Sequence, residues 1–223
     1  MFRKKKVFKV YLFRHGQTTF NRDGRFTGWM DSRLTKKGKR NALGIARQLK
    51  DKKIDVAIHT RLSRTKDTLT PVLKYHPECK IILEDDRMIE RSYGNLEGEK
   101  HENFIKRIGR REYDLRVHGD AIVSLGERDR KKIEEFFGEE DYDIIHRGWN
   151  VAPPAGESFA DVEIRVKRFI SDLKKFMRKN KVNVAISAHG NSIRLFRKIM
   201  EKAHRKSVVR WVIPYDKIYE YVV

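Results

Sequence analysis

The sequence predicts a three-layer α/β/α fold with a largely parallel central sheet and a charged helical insertion over one edge. Apolar strand patterns alternate with amphipathic helical patterns along most of the chain, which is the rhythm of a parallel sheet. Two of the strands end in the same His-Gly turn, about 175 residues apart. Because ligands bind at the carboxyl ends of parallel strands, these two turns predict a site at that edge.

The first half of the chain alternates short apolar strands with helices. Strands are predicted at 6–13, 55–59 and 80–83. Thr35 is a good N-cap for a helix that runs to about Lys50. A second helix is predicted over 61–75, with a kink or restart at Pro71 because proline lacks the amide donor.

The second half begins with a long amphipathic helix over 156–177, whose apolar residues recur at helical spacing. The remaining predicted elements are a strand at 182–187, a helix at 192–201, and a closing hairpin of strands 208–213 and 217–222 around Pro214. We therefore expect one domain spanning residues 1–223.

Residues 99–150 break this rhythm, since they are rich in charge and poor in apolar anchors. We interpret them as a helical insertion, or lid, that covers the site. The alternative is that residues 99–150 form a surface segment with no role in function.

The charge balance is strongly basic, with 51 Lys and Arg against 31 Asp and Glu, a formal net charge of +20. Such a charge suits nucleic acid or an anionic membrane, but it also concentrates small anionic substrates, and most of the basic residues alternate with acids. We expect a small phosphorylated substrate and neither nucleic acid nor membrane as a partner, and we leave a homo-oligomer open.

The sequence also bears on the compartment. Cys79 is the single cysteine, so no intramolecular disulfide is predicted. The basic start, Met1–Lys6, is followed by an apolar run too short for a signal peptide, and no segment approaches the ~20 apolar residues of a membrane-spanning helix. We expect a cytoplasmic protein.

Arginines surround the two predicted His-Gly turns. Arg14 directly precedes His15, while Arg61 and Arg64 lie one helical turn apart just after the second strand. Guanidinium groups suit phosphate oxygens, and imidazole supplies a nucleophile near neutral pH. A metal held by His15 and His189 lacks a carboxylate or cysteine companion in either motif, so we expect none. The pattern predicts a phosphate pocket.

The motifs resemble the histidine phosphatase superfamily, also called the phosphoglycerate mutase-like superfamily. Six motifs occur in the family's order across residues 14–194, whereas residues 99–145 and the last fifteen or so lie outside the resemblance. They are Arg14-His15-Gly16-Gln17-Thr18 with Asn21, the loop from Arg25 to Asp31 with the following Leu34 to Gly38, Thr60 to Thr68, Glu90 to Gly98, Pro153 to Ser158, and His189 to Arg194.

The resemblance implies roles for the residues of these motifs. His15 would be the nucleophile that becomes a phosphohistidine, with Glu90 as general acid and base. Three groups would hold the phosphoryl oxygens, with further donors from a side-chain amide and a backbone N–H. The three groups are Arg14, Arg64 and His189, and the further donors are Asn21 and the N–H of Gly190.

Substrate contacts follow from the resemblance in the same way. Thr27, Gly28, Tyr93 and Asn191 match positions that contact the phosphorylated acid in the mutases. The mutase pattern also places a lysine near Lys100, although the register allows His101, and a pair of arginines at 146–147. Arg147 fits that pair, but His146 takes the place of the first arginine, with Arg110 or Arg111 from the insertion as substitutes.

The leading function is therefore metal-free phosphoryl transfer through a phosphohistidine. We place first a phosphoglycerate mutase that depends on 2,3-bisphosphoglycerate as phosphoryl primer and binds no cofactor permanently. A metal-independent phosphomonoester phosphatase of the same superfamily is the alternative, favoured by His146. A basic nucleic-acid-binding protein on this scaffold is the distant third.

Overall fold

The computed structural model describes residues 7–117 and 126–223. Five strands form one sheet in the order β3-β2-β4-β1-β5. The strands are β1 (Lys9–Arg14), β2 (Val56–His59), β3 (Ile81–Glu84), β4 (Val184–Ala188) and β5 (Ile218–Val222). The first four are parallel and β5 pairs antiparallel with β1, so the predicted fold class is confirmed.

Eight α-helices are found in the described part of the chain. They are α1 (Thr19–Arg22), α2 (Lys36–Leu49), α3 (Ser63–Leu73), α4 (His101–Val117), α5 (Glu127–Arg147), α6 (Phe159–Asn180), α7 (Gly190–Glu201) and α8 (Arg205–Val208). Short 3₁₀ turns occupy Asp86–Met88 and Gly94–Leu96. None of the helices in the described ranges has the length and apolar character needed to cross a membrane.

Alternate residues of the central strands enter two separate cores, which defines the three layers, whereas the residues of the edge strand β3 are exposed. Val10 and Leu12 of β1 pack with α6 and α7, whereas Tyr11 and Phe13 pack with α2 and α3. This is the period of two expected of a strand buried on both faces. The predicted N-cap is also present, since the Thr35 hydroxyl accepts the Gly38 amide. Pro71 lies inside α3, so that helix runs through its proline.

The predicted strand at 208–213 is wrong. Its first residue ends α8, and turn hydrogen bonds follow instead of a ladder, from Trp211 N to Val208 O for example. Val208, Val209 and Ile213 are buried in the core beneath α6 and α7, and that burial explains the apolar pattern. The last strand pairs with β1 in place of the predicted hairpin partner.

The charged insertion consists of α4 and α5, which pack on each other as a hairpin that we call the cap. The helices approach closely at two glycines: a Cβ on Gly109 would lie 1.8 Å from the Glu134 carbonyl oxygen, and one on Gly138 would lie 2.1 Å from that of Ile105. Residues 118–125 of the insertion and the basic start, Met1–Lys6, lie outside the described residues.

Candidate active site

The register of the sheet brings the two His-Gly turns together. β1 and β4 are adjacent and parallel, with Arg14 paired to Ala188, so the next residues of both strands leave the sheet side by side. The His15 amide donates to the Ala188 carbonyl at 3.0 Å. The rings of His15 and His189 lie 5.0 Å apart, edge to face, and both are buried.

His15 is held in the form that a nucleophile requires. Its Nδ1 lies 2.8 Å from the Gly16 carbonyl oxygen, which can only accept, so Nδ1 carries the proton. Burial, with Arg64 and Arg14 nearby, holds the pKa of His15 well below its usual value. The ring is therefore neutral at pH 7, and its Nε2 keeps a free electron pair.

His189 is neutral as well, and a chain of hydrogen bonds sets its tautomer. Arg64 donates from Nε to Nδ1 of His189 at 3.3 Å, so the proton lies on Nε2, which is 2.9 Å from the Thr60 hydroxyl. The chain continues from Thr60 to Thr65 and from Thr65 to the Leu62 carbonyl. Burial, followed by the charge of Arg64, holds the pKa of His189 well below its usual value.

Two arginines supply positive charge beside the imidazoles. Arg64 is fully buried and donates to the carbonyl oxygens of Gly28 at 2.7 Å and Met30 at 2.9 Å. Burial lowers its pKa to about 10, which leaves it charged at pH 7. Arg14 donates to Ile213 O and stacks over Tyr215, while its buried Nε has no partner among the described residues. An unpartnered buried donor beside two imidazoles suits an anion.

Glu90 faces the start of α7. Its Oε1 accepts the backbone amides of Arg91 at 2.9 Å and Asn191 at 3.0 Å, and its Oε2 lies 3.5 Å from the position of a Cβ on Gly190. Arg165 holds the Glu90 carbonyl oxygen from behind at 3.0 Å. Within the described ranges no group hydrogen bonds to Oε2, so this oxygen is available to carry a proton.

A cavity of about 250 Å³ opens beside Arg14 and Glu90, whereas the buried His15, Arg64 and His189 are not among its lining residues. It brings together most of the residues that the sequence proposed: Arg14, Asn21, Thr27, Gly28, Glu90, Tyr93, Gly190 and Asn191. The Asn21 oxygen accepts from Thr18, which leaves its amide nitrogen as a donor. The cavity is also lined by Phe26 and by His101, the alternative to Lys100, and by residues not proposed from the sequence as substrate contacts: Gly24, Arg25, His146, Arg194 and Tyr215.

Two of the proposed substrate-binding residues do not line this cavity. Lys100 is exposed in an isolated bridge with Arg25, and the next residue, His101, faces the cavity instead. Arg147 donates to Val209 O and pairs with Asp143, so its side chain points away from the cavity. Successive residues of a helix point about 100° apart. The neighbouring His146 therefore faces the cavity.

The other arginines considered from the sequence lie elsewhere. Arg61 is exposed and pairs with Asp86 at 2.8 Å. Arg110 lies in a groove between α4 and α5 that is separate from this cavity, and Arg111 is exposed. None of these three arginines lines the cavity.

Sequence reasoning missed the role of Glu97. Its carboxylate accepts the amides of Trp29 at 2.9 Å, Met30 at 2.8 Å and Tyr93 at 3.0 Å, and so ties the loop that carries Thr27 to the loop that carries Glu90. It lies within one of the quoted motifs at a variable position, which gave no signal. Arg194 was likewise not predicted as a cavity residue, although its position one helical turn after Gly190 places it on the same side of α7.

Comparisons with known proteins identify the family of the chain. The model of the histidine phosphatase superfamily (branch 1) matches residues 10–128 and 122–222. A 2,3-bisphosphoglycerate-dependent phosphoglycerate mutase from Pseudoalteromonas atlantica is 33% identical over 193 residues, which covers 86% of this chain and 83% of that protein. One from Methanococcus vannielii is 29% identical, with 92% and 86% covered.

Solved structures share the fold. A phosphoglycerate mutase from Bacillus anthracis superimposes with a TM-score of 0.68 at 22% identity, covering 98% of this chain and 88% of that one. A putative alpha-ribazole-5'-P phosphatase from Escherichia coli K-12 gives 0.70 at 20% identity, with 96% and 90% covered. The same fold is thus found in proteins named as mutases and as phosphatases.

Proposed function

Because the chain belongs to the histidine phosphatase superfamily and is an enzyme of that superfamily, we propose that it transfers the phosphoryl group of a small phosphomonoester through a phosphohistidine at His15. The observation that carries the proposal is the tautomer of His15. Its Nδ1 proton is donated to the Gly16 carbonyl oxygen, and the buried Arg64, the half-buried Arg14 and a second neutral imidazole lie alongside.

In the first step, Nε2 of His15 attacks phosphorus and the bond from phosphorus to the ester oxygen breaks. Glu90 gives its proton to the departing alkoxide. Arg14 and Arg64 stabilise the charge that develops on the phosphoryl oxygens, and in a buried site such charges act strongly. The Nε of Arg14 has no hydrogen-bond partner among the described residues, so it can donate to a phosphoryl oxygen without breaking another bond.

In the second step, the Glu90 carboxylate removes a proton from the acceptor. The acceptor oxygen attacks phosphorus, the bond from phosphorus to Nε2 breaks, and His15 returns to its neutral form. All of these steps use side chains of this chain alone.

We propose water as the acceptor, which makes the protein a phosphomonoester phosphatase. A mutase must hold a phosphorylated acid by its carboxylate while the phosphoryl group returns to it. Where the cap meets the cavity, the structure has His101 and His146 in the places that the resemblance gives to a lysine and an arginine. These two histidines support our choice of the phosphatase, although the sequence motifs place the mutase first.

A phosphoglycerate mutase that depends on 2,3-bisphosphoglycerate is the second candidate. It is supported by the names of the relatives and by the loop from Arg25 to Asp31, whose Thr27 and Gly28 line the cavity.

The test uses the whole chain with a chelator present. We expect release of phosphate from p-nitrophenyl phosphate and a phosphoenzyme that is labile in acid and stable in base. His15→Ala should abolish the phosphoenzyme and lower kcat/KM by on the order of 10³ or more, because no other group replaces the nucleophile. His204→Ala, at an exposed histidine, is the matched control and should change neither.

Incubation with 3-phosphoglycerate and a trace of 2,3-bisphosphoglycerate separates the two candidates. Isomerisation to 2-phosphoglycerate that depends on His15 would replace the phosphatase by the mutase. Absence of any phosphoenzyme with all of these substrates would refute the proposed chemistry itself.

A further inference from the structure

The side of the cavity next to the cap has an unusual composition, which we call the cap wall and define as Phe26, Tyr93, His101 and His146. All four line the cavity. Phe26 lies at the centre, with ring centroids 5.0 Å from Tyr93, 4.5 Å from His101 and 6.4 Å from His146. The wall is therefore built of rings.

Each histidine of the cap wall is paired with a tyrosine hydroxyl. His146 Nδ1 lies 3.1 Å from the Tyr93 hydroxyl, and His101 Nδ1 lies 3.2 Å from the hydroxyl of Tyr142 on α5. Either member of such a pair can donate, so the free Nε2 of each ring can act as a donor or as an acceptor. A ligand hydroxyl, which also does both, matches this arrangement.

The surroundings keep the two rings uncharged. Burial, and then the charge of Arg91, lowers the pKa of His146 to about 3, and burial lowers that of His101. Arg91 lies beside His146, since it donates from Nη2 to the His146 carbonyl oxygen at 3.3 Å. No carboxylate within the described ranges pairs with either ring. A carboxylate placed against this wall would lose water and would meet no charged group among the four residues of the wall itself.

We propose that the cap wall selects phosphomonoesters whose leaving group is uncharged and carries a hydroxyl group, and that it discriminates against leaving groups with a carboxylate. This inference rests on the phosphohistidine chemistry proposed above and adds the class of substrate. His101 and His146 are its specificity-determining residues.

Besides Arg14, the arginines that line the cavity are Arg25 and Arg194, and each already donates hydrogen bonds to neighbouring groups. Arg194 donates to the carbonyl oxygen of Trp211 at 2.7 Å and to the side-chain oxygen of Asn191. Arg25 donates to the Gly98 carbonyl oxygen at 2.7 Å. Within the described part of the chain the Arg25 side chain makes this one hydrogen bond and that of Arg194 makes two, so the test includes Arg25.

A matched pair of substrates provides the experiment. Glycerol 3-phosphate and 3-phosphoglycerate differ only in a hydroxymethyl group against a carboxylate. We expect the wild-type kcat/KM for glycerol 3-phosphate to exceed that for 3-phosphoglycerate by about tenfold or more, because an unpaired desolvated carboxylate costs at least that much. His146→Arg should reverse the preference, whereas His146→Gln, which stays neutral, should keep it.

An equal or opposite preference in the wild type would overturn the inference, and this measurement needs no variant to fold. If 3-phosphoglycerate were preferred and Arg25→Gln removed that preference, the carboxylate partner would be Arg25 and the inference would again fail. The phosphoenzyme at His15 is scored separately with both substrates. Its presence without the expected preference refutes only the substrate class, and its absence refutes the proposed function.

Discussion

At the scale of single residues, Arg64 is the side chain on which most of the site depends. It sets the tautomer of His189 and also holds the carbonyl oxygens of Gly28 and Met30. A lysine can reach one of these partners but not all three, because it lacks the planar fork.

We therefore expect Arg64→Lys to lower kcat/KM by about 10²- to 10³-fold, the usual effect of losing one transition-state donor. Arg61 lies two residues before α3, is exposed, and contacts Asp86 and the Trp29 ring. Arg61→Lys should change kcat/KM by less than about twofold, because an exposed ion pair contributes ~0–1 kcal/mol. Steady-state kinetics of both variants checks this. Equal losses in the two would contradict the assignment.

The sequence predicted many of these residues because each sits in a motif next to a strand end. It did not predict which of two neighbours faces the cavity. Lys100 and Arg147 were chosen over His101 and His146, and helical phase at the two ends of the cap decides the matter. That phase depends on how α4 and α5 pack, which no local pattern in the sequence reveals.

At the scale of elements, the cap is positioned by its glycines. Gly109 and Gly138 let the backbones of α4 and α5 approach so closely that a Cβ at either position would overlap a carbonyl oxygen of the partner helix. His101 begins α4 and His146 lies near the end of α5, so the spacing of these helices sets the spacing of the cap wall.

Gly109→Ala should therefore destabilise the cap by about 1–3 kcal/mol, the usual effect of overpacking. It should raise KM for glycerol 3-phosphate while the phosphoenzyme at His15 still forms. Gly44→Ala is the matched control within α2, where a Cβ meets nothing within 4 Å, and it should stabilise the fold by ~0.5–1 kcal/mol. Thermal unfolding and kinetics of the two variants test the prediction. An unchanged Tm and KM in Gly109→Ala would contradict it.

The alternation of strands and helices was predictable because both strand faces and one face of each helix are apolar, as in Val10 to Phe13 and along α6. The segment 208–213 was not, since Val208, Val209 and Ile213 are buried without joining the sheet. A short apolar run shows that residues are buried but does not show whether they are hydrogen bonded to a neighbouring strand.

At the scale of the whole molecule, the site brings together two buried and two half-buried histidines that are neutral in the folded chain at pH 7. His15 and His189 have a pKa well below the ordinary value, His146 has one of about 3, and that of His101 is also lowered. In the unfolded chain each titrates near pH ~6.5. Between that pH and the lower folded-state values, the unfolded chain binds more protons than the folded one.

Stability must then rise with pH across this window and fall on acidification below about pH 6.5. Each fully buried histidine contributes a slope of ~1.4 kcal/mol per pH unit while the folded state resists protonation. Urea unfolding at pH 8, 7, 6 and 5 should show a free energy of unfolding that is nearly constant from 8 to 7 and drops steeply below 6. In His146→Gln the slope should decrease by ~1.4 kcal/mol per pH unit, the contribution of one histidine.

An exposed histidine provides the control, and His204→Gln should leave the slope unchanged. A free energy of unfolding that stays level down to pH 5 would mean that the site histidines are protonated in the folded protein. In that case His15 would lack the free electron pair on Nε2 at pH 5, and the cap wall would be cationic there. The stability profile therefore tests the charge state on which both the proposed chemistry and the proposed selectivity depend.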